Sequence, residues 1–129
     1  MIENKINEFH LVADQNSKDI VDQITILESV KSHDLSFYAA LFNPSIDRNI
    51  YGVIKILGEN HKSENETELS LNGIIINGNP PFHITIGGFP IGKDDTIKAT
   101  LYLYEKLDNG ESSLLDSQNT YFTLIKEQD

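Results

Sequence analysis

Apolar side chains recur at every second position over much of the chain, and Gly, Pro, Asn and Asp gather between the runs. Successive side chains of an extended backbone point to opposite sides, so this alternation predicts strands with one face on a core. Residues 6–13 (INEFHLVA) read as the first strand and end at the polar stretch 14–19. Residues 35–42 place Leu35, Phe37, Ala39 and Leu41 on one face. Pro44 stops that run, because proline cannot donate to a ladder. Another strand covers 50–57 and closes at Gly58, and 82–86 sets Phe82, Ile84 and Ile86 against His83 and Thr85. The strongest predicted pairing joins 96–106, with Ile97, Ala99, Leu101 and Leu103 on one face, to 119–126, with Phe122 and Leu124.

Other segments fit the alternation less simply. In 20–31, Ile20, Ile24, Leu27 and Lys31 have helical spacing, while Ile24, Ile26 and Val30 fit a strand face interrupted by Glu28. The stiff β-branched side chains favour strand, with helix the alternative. By composition 59–68 is a solvated loop. Within 67–76 the apolar positions change phase, from Leu69 and Leu71 to Ile74 and Ile76. That shift predicts a bulge or bend at Gly73, or else a strand buried on both sides along 74–76. Asn77, Gly78, Asn79 and the prolines at 80 and 81 then turn the chain. Residues 87–95 read as a connection with one apolar anchor at its centre, and 107–118 as a long loop. About eight strands and no convincing amphipathic helix predict one all-β domain over 1–129. The expected form is a β-sandwich of mostly antiparallel strands, with a small barrel as the alternative.

A chain of 129 residues suits one core rather than two. Acidic residues outnumber basic ones by 20 to 10, Arg48 is the one arginine, and the formal charge is −10. So negative a chain repels phosphate backbones and anionic lipid, which argues against nucleic-acid and membrane partners. No apolar stretch approaches the roughly 20 residues that span a bilayer, and the N-terminal residues lack the pattern of a secretory signal. The expected compartment is the cytoplasm. Without cysteine there is no disulfide framework, thiolate metal site or thiol nucleophile.

The segment order resembles small bacterial sandwich domains of immunoglobulin-like type. A short apolar strand (residues 9–14) precedes a second (24–27), and the succession finishes with a hairpin such as 96–126. The resemblance spans most of the chain but rests on pattern. The cysteine pair and core tryptophan of antibody domains are absent. It implies a fold and transfers no functional residue.

Chemistry is sparsely marked. His10, His33, His61 and His83 show no metal-ligand spacing, and none of the serines sits in a GxSxG elbow. His83 or His33 meeting a carboxylate and a serine in a deep pocket would be the sign of a hydrolase assembled by the fold. Gly87, Gly88 and Gly92 follow no phosphate-binding pattern and read as turn geometry. Asp94 and Asp95 point to opposite sides if extended; they suit a loop cap, or a calcium site completed from elsewhere. No catalytic, metal-binding or cofactor-binding residue is assigned, and no cofactor or enzymatic activity is expected.

Two surface clusters remain. Glu64, Glu66 and Glu68 would share one strand face, as a protected edge or as a docking patch for a cationic partner. With Leu101 and Leu103 facing the core, Tyr102 and Tyr104 face outward, and Tyr121 and Thr123 lie on the matching outer face of the next strand. Tyrosine offers rigid area with a polar tip, so three on one sheet suit a protein-binding or sugar-stacking surface; cross-strand tyrosine pairs also stabilise sheets. The expected function is a non-enzymatic protein-interaction module, binding a partner protein or itself through a sheet face or loops. A carbohydrate-binding module and a virion or phage structural component are the alternatives.

Overall fold

The alternating segments form strands in the computed structural model, which describes residues 1–60 and 65–129. In chain order the strands are β1 (Lys5–Val12), β2 (Gln23–Leu27), β3 (Ser32–Phe42), β4 (Ile50–Gly58), β5 (Asn65–Ser70), β6 (Phe82–Pro90), β7 (Asp95–Lys106) and β8 (Ser112–Glu127). A single helical turn, α1 (Asn72–Ile76), separates β5 from β6. The strands make two sheets, one ordered β1-β3-β6 and the other β2-β8-β7-β4-β5. The pairings are antiparallel except that of β2, which runs parallel to β8. No helix among the described residues is long and apolar enough to cross a membrane.

The inward faces of the two sheets share one interior, as the alternation requires. Leu35, Phe37 and Ala39 of β3 meet Ile54 and Ile56 of β4 and Leu101 and Leu103 of β7 in the buried cluster. Phe37 lies at its centre: its ring stacks on Phe9 of β1 with centroids 5.3 Å apart, and meets Phe122 of β8 edge-on at 6.2 Å. Aromatic contacts of both kinds add to the area they bury. On one side the layers curl together, where β1 lies along β8 and the Ile6 amide donates to Asp116 Oδ2 at 2.7 Å. The all-β, two-layer architecture is therefore the one the sequence predicts.

Several local expectations need correction. Residues 65–70 are strand rather than loop: Glu66 and Glu68 face water while Leu69 packs on the core, and charge at a sheet edge deters further strand addition. The phase change at 67–76 is neither a bulge nor a doubly buried strand. After buried Leu71 the backbone coils once, and the Ile75 amide donates to the Leu71 carbonyl at 3.0 Å. Helical spacing then buries Ile75 at 4% exposure and leaves Ile76 at 70%. The turn beyond takes positive φ at Gly78 (92°) and Asn79 (54°).

β6 continues through Gly87 and Gly88 to Pro90, beyond the predicted end at 86. A register shift opposite His33 and Leu35 breaks the alternation there and sends both Phe89 and Ile91 into the core. Residues 112–118 also belong to a strand, so the loop predicted over 107–118 shrinks to a turn closed by the Leu107 amide on the Glu111 carbonyl (2.8 Å). Another shift, between Leu103 and Tyr104, sets Asp116 opposite Leu103 and Leu114 opposite Tyr104. The odd residue and the polar composition together hid the period. Of 20–31, only Gln23–Leu27 is strand, and no part is helix.

Candidate functional site: the outer face of the five-stranded sheet

Because Leu101 and Leu103 are buried, Tyr102 and Tyr104 emerge on the opposite face of β7. Register fills in their neighbours. On β4, Tyr51 lies opposite Tyr104, Val53 opposite Tyr102, Lys55 opposite Thr100 and Leu57 opposite Lys98. On β8, Ser117 lies opposite Tyr102, Asn119 opposite Thr100 and Tyr121 opposite Lys98.

The side chains pack into a continuous layer. Tyr104 stacks on Tyr51 (centroids 5.5 Å, planes at 19°) and on Tyr102 (6.1 Å, 27°). Lys55 Nζ sits 5.4 Å from the centre of the Tyr102 ring and 3.8 Å from Glu66 Oε2. A hydrogen bond of 2.6 Å joins Tyr51 Oη to Ser112 Oγ, and Thr100 Oγ1 donates to Asn119 Oδ1 at 2.8 Å. Beneath this cover Val53 is only 8% exposed, although it points away from the core. Such mutual stacking and hydrogen bonding restricts the rings, so their surface is presented with little ordering left to do.

The structure thus joins Tyr102 and Tyr104 to each other and to Tyr51, a partner the sequence analysis missed. Tyr51 was visible as an aromatic in 50–57, but the β4–β7 register that stacks it on Tyr104 has no local signal. Tyr121 stands apart. It is 59% exposed beside Lys98, with Leu57 on the far side of that lysine. Leu57, Thr96, Lys98 and Tyr121 line a shallow, mainly apolar depression of about 210 Å³. Glu66 and Glu68 project from β5 on the same face, and Glu64 lies outside the described residues. The described strand positions pointing outward carry three lysines (Lys55, Lys98, Lys106) and three glutamates (Glu66, Glu68, Glu127). In a chain of charge −10, this face is balanced.

The other candidates do local structural work. His10, Tyr38 and His83 form a row across the outer face of the three-stranded sheet. The imidazoles donate from Nε2 to the carbonyls of Lys18 (2.8 Å) and Ser17 (2.7 Å), which pins the polar stretch 14–19 onto the sheet. His33, Asp34 and Ser36 line a pocket of about 250 Å³. There Asp34 Oδ1 accepts from the Gly88 amide and Ser36 Oγ bonds Thr85 Oγ1; no hydrogen bond among the described residues ties His33 to either. His61 lies outside the described residues. Asp94 Oδ1 accepts from the Lys126 amide of β8, and buried Asp95 accepts from the amides of Asn60 and Thr96, so both carboxylates have structural partners. Near them, hydrogen bonds from the Ser29 side chain and amide hold the Asp129 carboxyl below the usual aspartate value. No group of three His, Asp or Glu suited to a metal ion occurs among the described residues.

No protein-family model matches this chain, and no curated protein does.

Proposed function

We propose that the chain is a non-enzymatic protein-interaction module on an immunoglobulin-like scaffold, and that it binds through the outer face of the five-stranded sheet. The strand order supports the scaffold. With β2 set aside at the edge of the larger sheet, β1-β3-β6 against β8-β7-β4-β5 follows the succession in which immunoglobulin-type sandwiches pair their first, second and fifth strands in one layer and build the other on the final hairpin. The observation that carries the function is the layer of Tyr51, Tyr102 and Tyr104: stacked rings and a balanced charge pattern on an open sheet. Tyrosine on a rigid, weakly charged surface is the composition of protein contacts.

The test uses positions whose removal spares the fold. Tagged wild-type chain and the double variant Tyr121→Ser, Leu57→Ser are each used for capture from native lysate, alongside sedimentation of the purified chains. Wild type recovers a partner or self-associates, and the variant loses that contact with its melting temperature unchanged. Empty capture together with strictly monomeric sedimentation of wild type refutes the reading, as does a contact indifferent to both substitutions.

A further inference from the structure

Beyond the tyrosine face, we propose a second binding surface: the free edge of β6, which takes up an extended cationic segment of another protein as an added strand. Each sheet ends in two edge strands. An edge offers its unpaired N–H and C=O groups to any strand that reaches it, unless charge, shortness or cover prevents pairing. Three of the four edges have such protection. On β1 the Ile6 amide donates to Asp116, and the Leu11 carbonyl accepts from the Val21 amide. β2 is only five residues long, and β5 carries Glu66 and Glu68.

β6 is bare. From Phe82 to Ile86 it has no carboxylate, lysine or arginine. Among the described residues, no hydrogen bond beyond the ladder to β3 reaches the backbone of this stretch. Pro81 before it and the register shift at Gly87 and Gly88 after it confine the open edge to about 17 Å of strand.

The surroundings select the occupant. A depression of about 340 Å³ opens between β5 and β6, lined by Leu69, Leu71, Ile74, Phe82 and Ile84, with Glu68 beside them. A strand laid along β6 points alternate side chains into this depression, onto half-buried Leu69, Ile74 and Phe82, so aliphatic residues belong there. Its other side chains emerge between the outward residues of β6, His83 and Thr85, and those of β5, Glu66 and Glu68. Glu68 makes no ion pair among the described residues, and the whole chain carries −10. Lysine or arginine therefore belongs at the outward positions. The occupant alternates aliphatic and basic residues; backbone hydrogen bonds hold it and the side chains select it. The β6 edge of a second copy would bring a further charge of −10 and leave Glu68 unanswered.

The probe is a fluorescent hexapeptide alternating lysine and valine, titrated with the full chain from about 1 µM to about 1 mM at low salt. Its anisotropy saturates, and amide hydrogen exchange slows within Phe82–Ile86. Exchanging the peptide's central valine for proline, which cannot donate to a ladder, weakens binding at least tenfold. A peptide alternating glutamate and valine does not bind. Glu68→Lys, at an exposed position, weakens binding at least threefold with its melting temperature unchanged. The double variant Tyr121→Ser, Leu57→Ser binds the peptide as wild type does, which separates this edge from the tyrosine face. Absence of saturation overturns the inference, and so does slowed exchange confined to residues outside β6 or equal binding of the glutamate peptide. If protection of Phe82–Ile86 rises with protein concentration alone and sedimentation shows a dimer, β6 pairs with its own copy and the cationic segment is rejected.

Discussion

Replacing Tyr104 by serine asks whether the outer tyrosines hold the sheet or merely decorate it. The ring touches two others, Tyr51 at 5.5 Å and Tyr102 at 6.1 Å. Each aromatic pair is worth about 0.5–1.5 kcal/mol beyond area, so losing both costs about 1–3 kcal/mol. Half of a tyrosine side chain taken out of water adds roughly 2 kcal/mol at about 25 cal/mol per Å², part of which the serine and a relaxing Tyr102 recover. A loss of about 2–4 kcal/mol is expected, a large share of the roughly 5–15 kcal/mol that holds a domain together. Tyr121→Ser, at a side chain 59% exposed and outside the stack, should stay within about 0.5 kcal/mol. Urea unfolding of both variants with a common m-value measures the difference, at micromolar protein so that association does not enter. Equal costs for the two substitutions, or a Tyr104→Ser variant as stable as wild type, would refute the reasoning that the stack is a structural layer.

Phe37→Ala removes the ring that touches Phe9 in its own sheet and Phe122 in the other, and should cost about 3–5 kcal/mol by thermal or urea unfolding. Ile75→Asp should cost several times more than Ile76→Asp, because the one helical turn buries the first and leaves the second in water; a continuous strand would make Ile74 and Ile76 the sensitive pair instead. Asp95→Ala strips the acceptor from the Asn60 and Thr96 amides and should cost about 1–3 kcal/mol. Faster hydrogen exchange at those two amides locates the loss.

The sequence made the core of this fold legible wherever one residue in two faces inward without interruption. Leu35 to Leu41 and Ile97 to Leu103 alternate cleanly, and both land in the shared interior. Legibility failed where the period breaks. A single extra residue at Leu115 and the glycine pair in β6 shift the register by one, and a scan for period two then reads strand as loop. At 71–75 the relevant spacing is four, over too short a span to register as a helix. The outward direction of Tyr102 and Tyr104 followed from their buried neighbours, since local alternation fixes it. Which rings meet did not follow. Tyr51 joins the cluster and Tyr121 stands off because of the pairing of β7 with β4 and β8, and register between distant strands is set by the whole assembly.

The parallel strand β2 carries a consequence for how the molecule comes into being. Its hydrogen-bonded neighbour in the sheet is β8, about a hundred residues downstream, while β1 just before it belongs to the opposite layer. A nascent chain can pair β1 with β3 and β4 with β5 early, yet β2 must wait for β8 before it gains a neighbour in its sheet. Closure is thus the final event, and such long-range pairing puts assembly in the slow regime of milliseconds to seconds. Clipping the residues after Tyr121 would strip β2 of its only strand neighbour among the described residues while β1 keeps its pairing with β3.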